Sequence, residues 1–169
     1  RDALMLGVTC ERCHGPGRDH VAYHQAHPQT QTAKFIIHPG ELSRELQMDL
    51  CAQCHANALK HRQAPFSYRP GQPLSDYFKT VASKNPEDDH VANQTKYLKE
   101  SKCYQRSDSL TCVTCHDPHS HASSETSAYE AACLSCHSAA AQSVCPKFPD
   151  KGCLDCHMPR VTMGIDRYV

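Results

Sequence analysis

Hydrophobic positions are thinly and unevenly spread along this chain. The clearest helical period is Leu42, Leu46 and Leu50, which predicts a helix over residues 41–51, approached through Pro39 and Gly40. Val91, Thr95 and Leu98, with Gln94 beside them, mark one face of a second helix over 89–102. Pro86 and the acids Glu87, Asp88 and Asp89 suit its N-terminal end. A third helix is expected from a cap at Ser123 or Ser124, running through Tyr129 and Ala132. Residues 65–73 read as turns and 74–78 as a short amphipathic piece. No strand-like alternation of useful length occurs. The longest apolar runs, such as Phe35-Ile36-Ile37, are far below the roughly 20 residues needed to cross a bilayer. The pattern predicts a mainly α fold with extensive coil and little or no sheet.

Composition sharpens this picture. The hydrophobic share is 39% of 169 residues, but it includes twelve cysteines, there is no tryptophan, and there are only four phenylalanines. Side chains alone are short of a core, so staples or cofactors are needed to hold the shape. Lys plus Arg and Asp plus Glu are equal at 18 each, and no basic stripe of the kind that binds nucleic acid is present. The chain opens on Arg1 with no signal peptide, which suggests a processed or trimmed chain.

The cysteines set the class. Ten of the twelve fall into five units: Cys10-Glu-Arg-Cys13-His14, Cys51-Ala-Gln-Cys54-His55, Cys112-Val-Thr-Cys115-His116, Cys133-Leu-Ser-Cys136-His137 and Cys153-Leu-Asp-Cys156-His157. Each is the Cys-x-x-Cys-His signature of c-type haem attachment. Two cysteines three apart sit about one helical turn from each other, so both sulfurs reach the vinyl groups on one porphyrin edge. The next residue, histidine, then swings under the ring to the iron. A lone Cys-x-x-Cys also suits a redox dithiol or half a zinc site. Five unbroken copies, each followed by histidine, favour haem over zinc, and iron–sulfur clusters would leave all five histidines idle. The expectation is five covalently attached haems c, whose propionates would make the holoprotein acidic.

Of thirteen histidines, five are consumed as proximal ligands. His20, His24, His27, His38, His61, His90, His119 and His121 remain, enough to close the second face of every iron. Two imidazoles give a low-spin centre of lower potential than histidine plus methionine. Among Met5, Met48, Met158 and Met163 only Met163 competes, since Met158 directly follows a proximal histidine. His119 follows His116 too closely, across Pro118, to reach the far face of the same ring, so it should ligate a neighbouring haem. His20 stands in a similar relation to His14. His90 lies in the first turn of the expected second helix and is a further candidate, as are His24, His38, His61 and His121; His27, before Pro28, ranks behind them.

The first cysteines of successive units lie 41, 61, 21 and 20 residues apart. Residues 1–169 therefore read as one pentahaem domain, sparser over 1–102 and dense over 103–169, with haem packed against haem. Cys103 and Cys145 stand outside the units. In an oxidising compartment they are expected to pair, which would stabilise by roughly 2–4 kcal/mol.

Several segments also resemble a known family. Gly7-Val-Thr-Cys10 through Cys13-His14-Gly-Pro-Gly17 with His20, Tyr68-Arg-Pro-Gly71 with Asp76-Tyr77-Phe78, and Ser101-Lys-Cys103-Tyr104 are similar to segments of a group of multihaem cytochromes c. So are Leu110-Thr-Cys112 through His116-Asp-Pro-His119 and Cys153 through His157-Met-Pro-Arg160. That group is related to the tetrahaem electron carrier of ammonia oxidisers and includes cytochrome domains joined to tetratricopeptide repeats. The resemblance implies that His20, His90 and His119 are distal ligands. Relatives usually continue past the last motif and often carry another before the first, which implies that further chain or a neighbouring subunit supplies a ligand.

The expected function is electron transfer, as a redox carrier or as a subunit of a larger conducting assembly, outside the cytoplasm in the periplasm or at the outer face of the cell. Partners would be redox proteins or copies of the chain, with no nucleic acid and no membrane span. The rival is a small multihaem oxidoreductase with one open-faced iron. Pentahaem nitrite reductases mark that site with Cys-x-x-Cys-Lys, which does not occur here, so an enzyme is not expected.

Overall fold

Ser43 starts the longest helix of the chain, because its hydroxyl accepts a 3.4 Å hydrogen bond from the Leu46 N–H. The architecture comes from a computed structural model that describes residues 7–81, 93–121, 123, 125–137, 152–158, 161–163 and 166–168. The chain divides into two compact units, one formed by Arg1–Ser83 with Ala92–Tyr97 and the other by Lys84–Val91 with Leu98–Val169. The first two Cys-x-x-Cys-His segments belong to the first unit and the other three to the second.

The first unit begins with α1 (Glu11–His14) and α2 (Arg18–Ala26), then a 3-10 turn at Pro39–Glu41 and α3 (Arg44–His55). Helix α1 stops at Gly15, which is buried at φ 79°, a left-handed backbone that glycine adopts without strain. The helix expected at 41–51 thus starts three residues later and runs to His55, since Pro39 and Gly40 form their own turn and Ser43 supplies the cap. Thr95 is buried at the end of α3 and donates its hydroxyl to the His55 carbonyl at 2.9 Å.

Strand β1 (Ala58–His61) pairs antiparallel with β2 (Phe78–Val81), from Ala58 opposite Val81 to His61 opposite Phe78. A 3-10 turn at Leu74–Asp76 leads into β2, so the expected amphipathic piece at 74–78 is a turn followed by strand. Ala52 of α3 and Ala56, just after its end, bury against Leu74, and Leu59, Tyr68 and Phe78 pack around them. The Asp49 carboxylate accepts the Leu74 N–H at 2.9 Å and ties the turn to the helix. The small side chains of α3 allow that close approach.

Helix α4 (Gln94–Glu100) is followed by α5 (Lys102–Gln105). The single helix expected over 89–102 is therefore interrupted, and its first four residues, His90 included, lie outside the described residues. The interruption is Ser101, whose hydroxyl donates to the Leu98 carbonyl at 2.7 Å and accepts from Tyr104 N–H at 3.1 Å. It closes one helix and caps the next.

The second unit continues with a 3-10 turn at Cys112–Thr114, α6 (Ser127–Leu134) and α7 (Cys153–His157). Helix α6 starts later than a cap at Ser123 predicts, because that hydroxyl accepts the Glu125 N–H within a preceding turn; Ser124 lies outside the described residues. Glu130 of α6 is buried, and its carboxylate accepts the Cys153 N–H at 3.0 Å, which docks α7 on α6. Strand β3 (Val161–Met163) pairs antiparallel with β4 (Asp166–Tyr168). The described chain is thus mostly helical with extensive coil, and its sheet is confined to two-stranded ladders. Among the described residues no helix is long and apolar enough to cross a membrane.

Candidate functional site

The five Cys-x-x-Cys-His segments adopt one local conformation in five different settings. In the first, third and fourth, the carbonyl of the leading cysteine accepts the histidine N–H: His14 to Cys10 at 2.9 Å, His116 to Cys112 at 3.0 Å and His137 to Cys133 at 2.8 Å. The second segment is the last turn of α3, and the fifth is α7 itself. Each segment therefore makes one helical turn that brings two thiols and an imidazole to adjacent positions on its surface. Four segments share a polarity, with a half-buried first cysteine (Cys51, Cys112, Cys133, Cys153) and an exposed second (Cys54, Cys115, Cys136, Cys156). The first segment reverses it: Cys10 is exposed and Cys13 half-buried.

Ring orientation is set by distant backbone. His14 Nδ1 lies 2.9 Å from the Ile37 carbonyl, and His20 Nδ1 lies 2.8 Å from the Lys34 carbonyl. A carbonyl only accepts, so Nδ1 carries the proton in both rings and the lone pair sits on Nε2, the arrangement that orients a metal-ligating histidine. His55 Nδ1 lies 3.1 Å from Oε1 of Gln94. His24 Nε2 instead accepts the Lys34 N–H at 3.4 Å. His27 donates Nδ1 to the Tyr23 carbonyl of its own helix at 2.9 Å and stacks on the Tyr23 ring.

The other candidates are more dispersed. His38 is exposed beside the Pro39–Glu41 turn, and His61 is exposed on β1 against the Phe78 ring. His119 is 76% exposed, with Nδ1 3.7 Å from Oδ1 of Asp117. The His119 backbone N–H donates to that same oxygen at 2.9 Å and holds the Asp117 carboxyl below the usual carboxylate range. His121, His137 and His157 are exposed, and the exposed His116 meets the Tyr129 ring edge at 5.4 Å. Met48 is fully buried in α3. Met5, His90, Cys145 and the Met163 side chain lie outside the described residues, so the expected Cys103–Cys145 bond does too; Cys103 is an exposed thiol.

Sulfurs gather within each unit. Burial pushes the Cys13 thiol up, and Cys51, Cys54 and Cys10 add to the effect, so the first two segments are close neighbours. A direct link joins them, since Gln53 of α3 donates to the Arg12 carbonyl at 3.2 Å. In the second unit burial raises Cys133, with Cys153, Cys115, Cys103 and Glu130 following in that order. Cys115 is raised by burial and then by Cys103.

Two further observations bear on what fits here. The hydroxyl of Tyr68 is buried with no hydrogen-bond partner among the described residues. Exposed apolar side chains lie beside the segments: Val8 before the first, Val113 within the third and Met158 after the fifth. Among the described residues no three Cys, His, Asp or Glu side chains converge as a closed metal site requires. An iron held in a porphyrin takes only axial ligands from protein and needs no such convergence. The Ile37 and Lys34 carbonyls and the Gln94 side chain were not legible as ring-orienting groups, because nothing in local sequence marks a contact 14, 23 or 39 residues away.

Comparison with known protein families, curated proteins and solved structures finds no match to this chain.

Proposed function

We propose that this chain is a five-haem cytochrome c that transfers electrons outside the cytoplasm, either as a carrier or as a subunit of a larger conducting assembly of the multihaem type it resembles. The observation that carries this reading is the recurrence of one helical turn, with two thiols and a following imidazole, at five segments whose surroundings differ. A covalently attached haem supplies a one-electron centre at each such turn, its potential lowered when two imidazoles ligate the iron.

The chain's own residues supply anchorage and spacing. The ten cysteines of the five units offer the thioether sulfurs, and His14, His55, His116, His137 and His157 offer the proximal nitrogens. His20, with its ring held by the Lys34 carbonyl, is the best-prepared second ligand among the described residues. The Gln53–Arg12 bond holds two attachment turns together, and the Glu130–Cys153 bond anchors a third. The orphaned Tyr68 hydroxyl and the apolar side chains beside the turns support a large apolar group as the missing part of the core.

Intact mass and electron paramagnetic resonance of protein matured in a periplasm test the proposal. The expected result is a mass increment of five haems and oxidised spectra that are low-spin throughout. A smaller increment sinks the pentahaem reading, and a stoichiometric high-spin signal would replace the carrier with an enzyme. Light scattering of native material separates the carrier, a discrete monomer, from the assembly.

A further inference from the structure

Resting on the haem reading above, we propose that Arg69 binds a propionate carboxylate of the haem attached at Cys10 and Cys13. An open cavity of about 320 Å³ lies beside the first attachment turn, lined by His14, Phe35, Ile36, Ile37, Arg69 and Pro70 among others. Its walls are mainly apolar, and among the described residues Arg69 is the one Lys or Arg on them. Phe35 stands here at φ 60°, a left-handed conformation that is unfavourable for a bulky residue, and the residue is 64% exposed. An exposed aromatic ring held at that cost is placed to pack against a bound group.

The guanidinium is held in position. Its Nη1 donates to the carbonyls of Phe66 and Tyr68, both at 3.3 Å. Among the described residues no carboxylate lies within ion-pair distance of it. The remaining N–H groups form the planar fork that matches a carboxylate with two parallel bonds. The segment carrying Arg69 is also fixed relative to His14. A side chain at Gly71, φ 86°, would come within 3.1 Å of Ile37 Cδ1, and the Ile37 carbonyl is the acceptor for His14 Nδ1. Ile37 thus ties the His14 imidazole to the segment that carries Arg69, and a porphyrin held at His14 would bring its carboxylates toward that cation. Arg69 is exposed, so water screens part of such a charge pair.

The test is spectroelectrochemistry of the holoprotein with Arg69→Gln and Arg69→Lys. Loss of the cation favours the oxidised iron, so Arg69→Gln should lower the potential of one haem, the other four staying put. The expected size is about a tenfold change in its reduced-to-oxidised ratio at a fixed potential, which is about 59 mV for one electron. Arg69→Lys keeps the charge without the fork and should shift the same haem by less. A purely structural role would instead lower stability in both variants without singling out one potential. Should Arg69→Gln fail to accumulate, Arg69→Lys carries the test, and five unmoved potentials in it overturn the assignment. Five haems with unmoved potentials in Arg69→Gln overturn Arg69 alone. Wild-type peptides bearing no haem at Cys10 and Cys13 overturn the haem reading and Arg69 with it.

Discussion

The Tyr68 hydroxyl is buried beside Asp49, Cys13 and Tyr77 without a hydrogen-bond partner among the described residues. Burial first, then those neighbours, push its ionisation well above the usual tyrosine range. A folded state that binds the phenolic proton more tightly keeps this contribution to stability in full below about pH 10 and loses it as pH rises further. Tyr68→Phe removes both the ionisation and a polar atom that costs about 1–3 kcal/mol when left unsatisfied. Circular dichroism should show unchanged or higher stability at pH 7 and a shallower fall above pH 10. A loss of more than about 1 kcal/mol at pH 7 would mean that the hydroxyl has found a partner in the holoprotein. His20 gives a second test at this scale. Its ring is locked by Lys34, whereas His27 bonds to its own helix. His20→Ala should turn one low-spin iron in five high-spin, and His27→Ala should turn none; an unchanged resonance spectrum for His20→Ala would remove it from the ligand set. The Cys-x-x-Cys-His residues were legible because that motif is local. The partners of their rings were not, because backbone carbonyls carry no side-chain signature.

Helix boundaries follow caps more closely than apolar periodicity. Leu46 and Leu50 did predict α3, but Ser43 decides where it begins and the second attachment turn carries it on to His55. Ser43→Ala should cost about 1 kcal/mol in thermal unfolding, and Ser43→Asp should restore it. The break at Ser101 was hidden for a similar reason, since serine caps a helix or sits within one depending on which backbone groups are at hand. The β1–β2 pair escaped prediction because four-residue strands, Ala58–His61 and Phe78–Val81, carry too short a pattern, and their pairing is decided by contacts across the intervening loop. The buried carboxylate of Glu130 was equally silent in sequence. Glu130→Ala should cost about 1–3 kcal/mol by leaving the Cys153 N–H unpaired. Glu130→Gln, whose amide oxygen accepts the same bond, should recover most of it, and equal losses in the two variants would argue against the bond.

On the scale of the chain, a described apolar core of six buried hydrophobic residues leaves the polypeptide short of what holds a fold of this length. Chain produced in the cytoplasm, where haem is not attached, should therefore melt broadly, while the five-haem form should melt cooperatively at much higher temperature. A sharp cooperative transition in haem-free chain, read by far-ultraviolet circular dichroism, would show that the side chains suffice. The sequence by itself determined the five Cys-x-x-Cys-His units, the shortage of core and the helical, coil-rich character, because these follow from residue types a few positions apart. Only the tertiary structure decided that Ile37 and Lys34 orient the His14 and His20 rings, that Gln53 joins two attachment turns, and that Arg69 shares a cavity with His14. Those contacts join residues 14 to 55 positions apart, and the closure of the intervening chain, which no local pattern encodes, selects them.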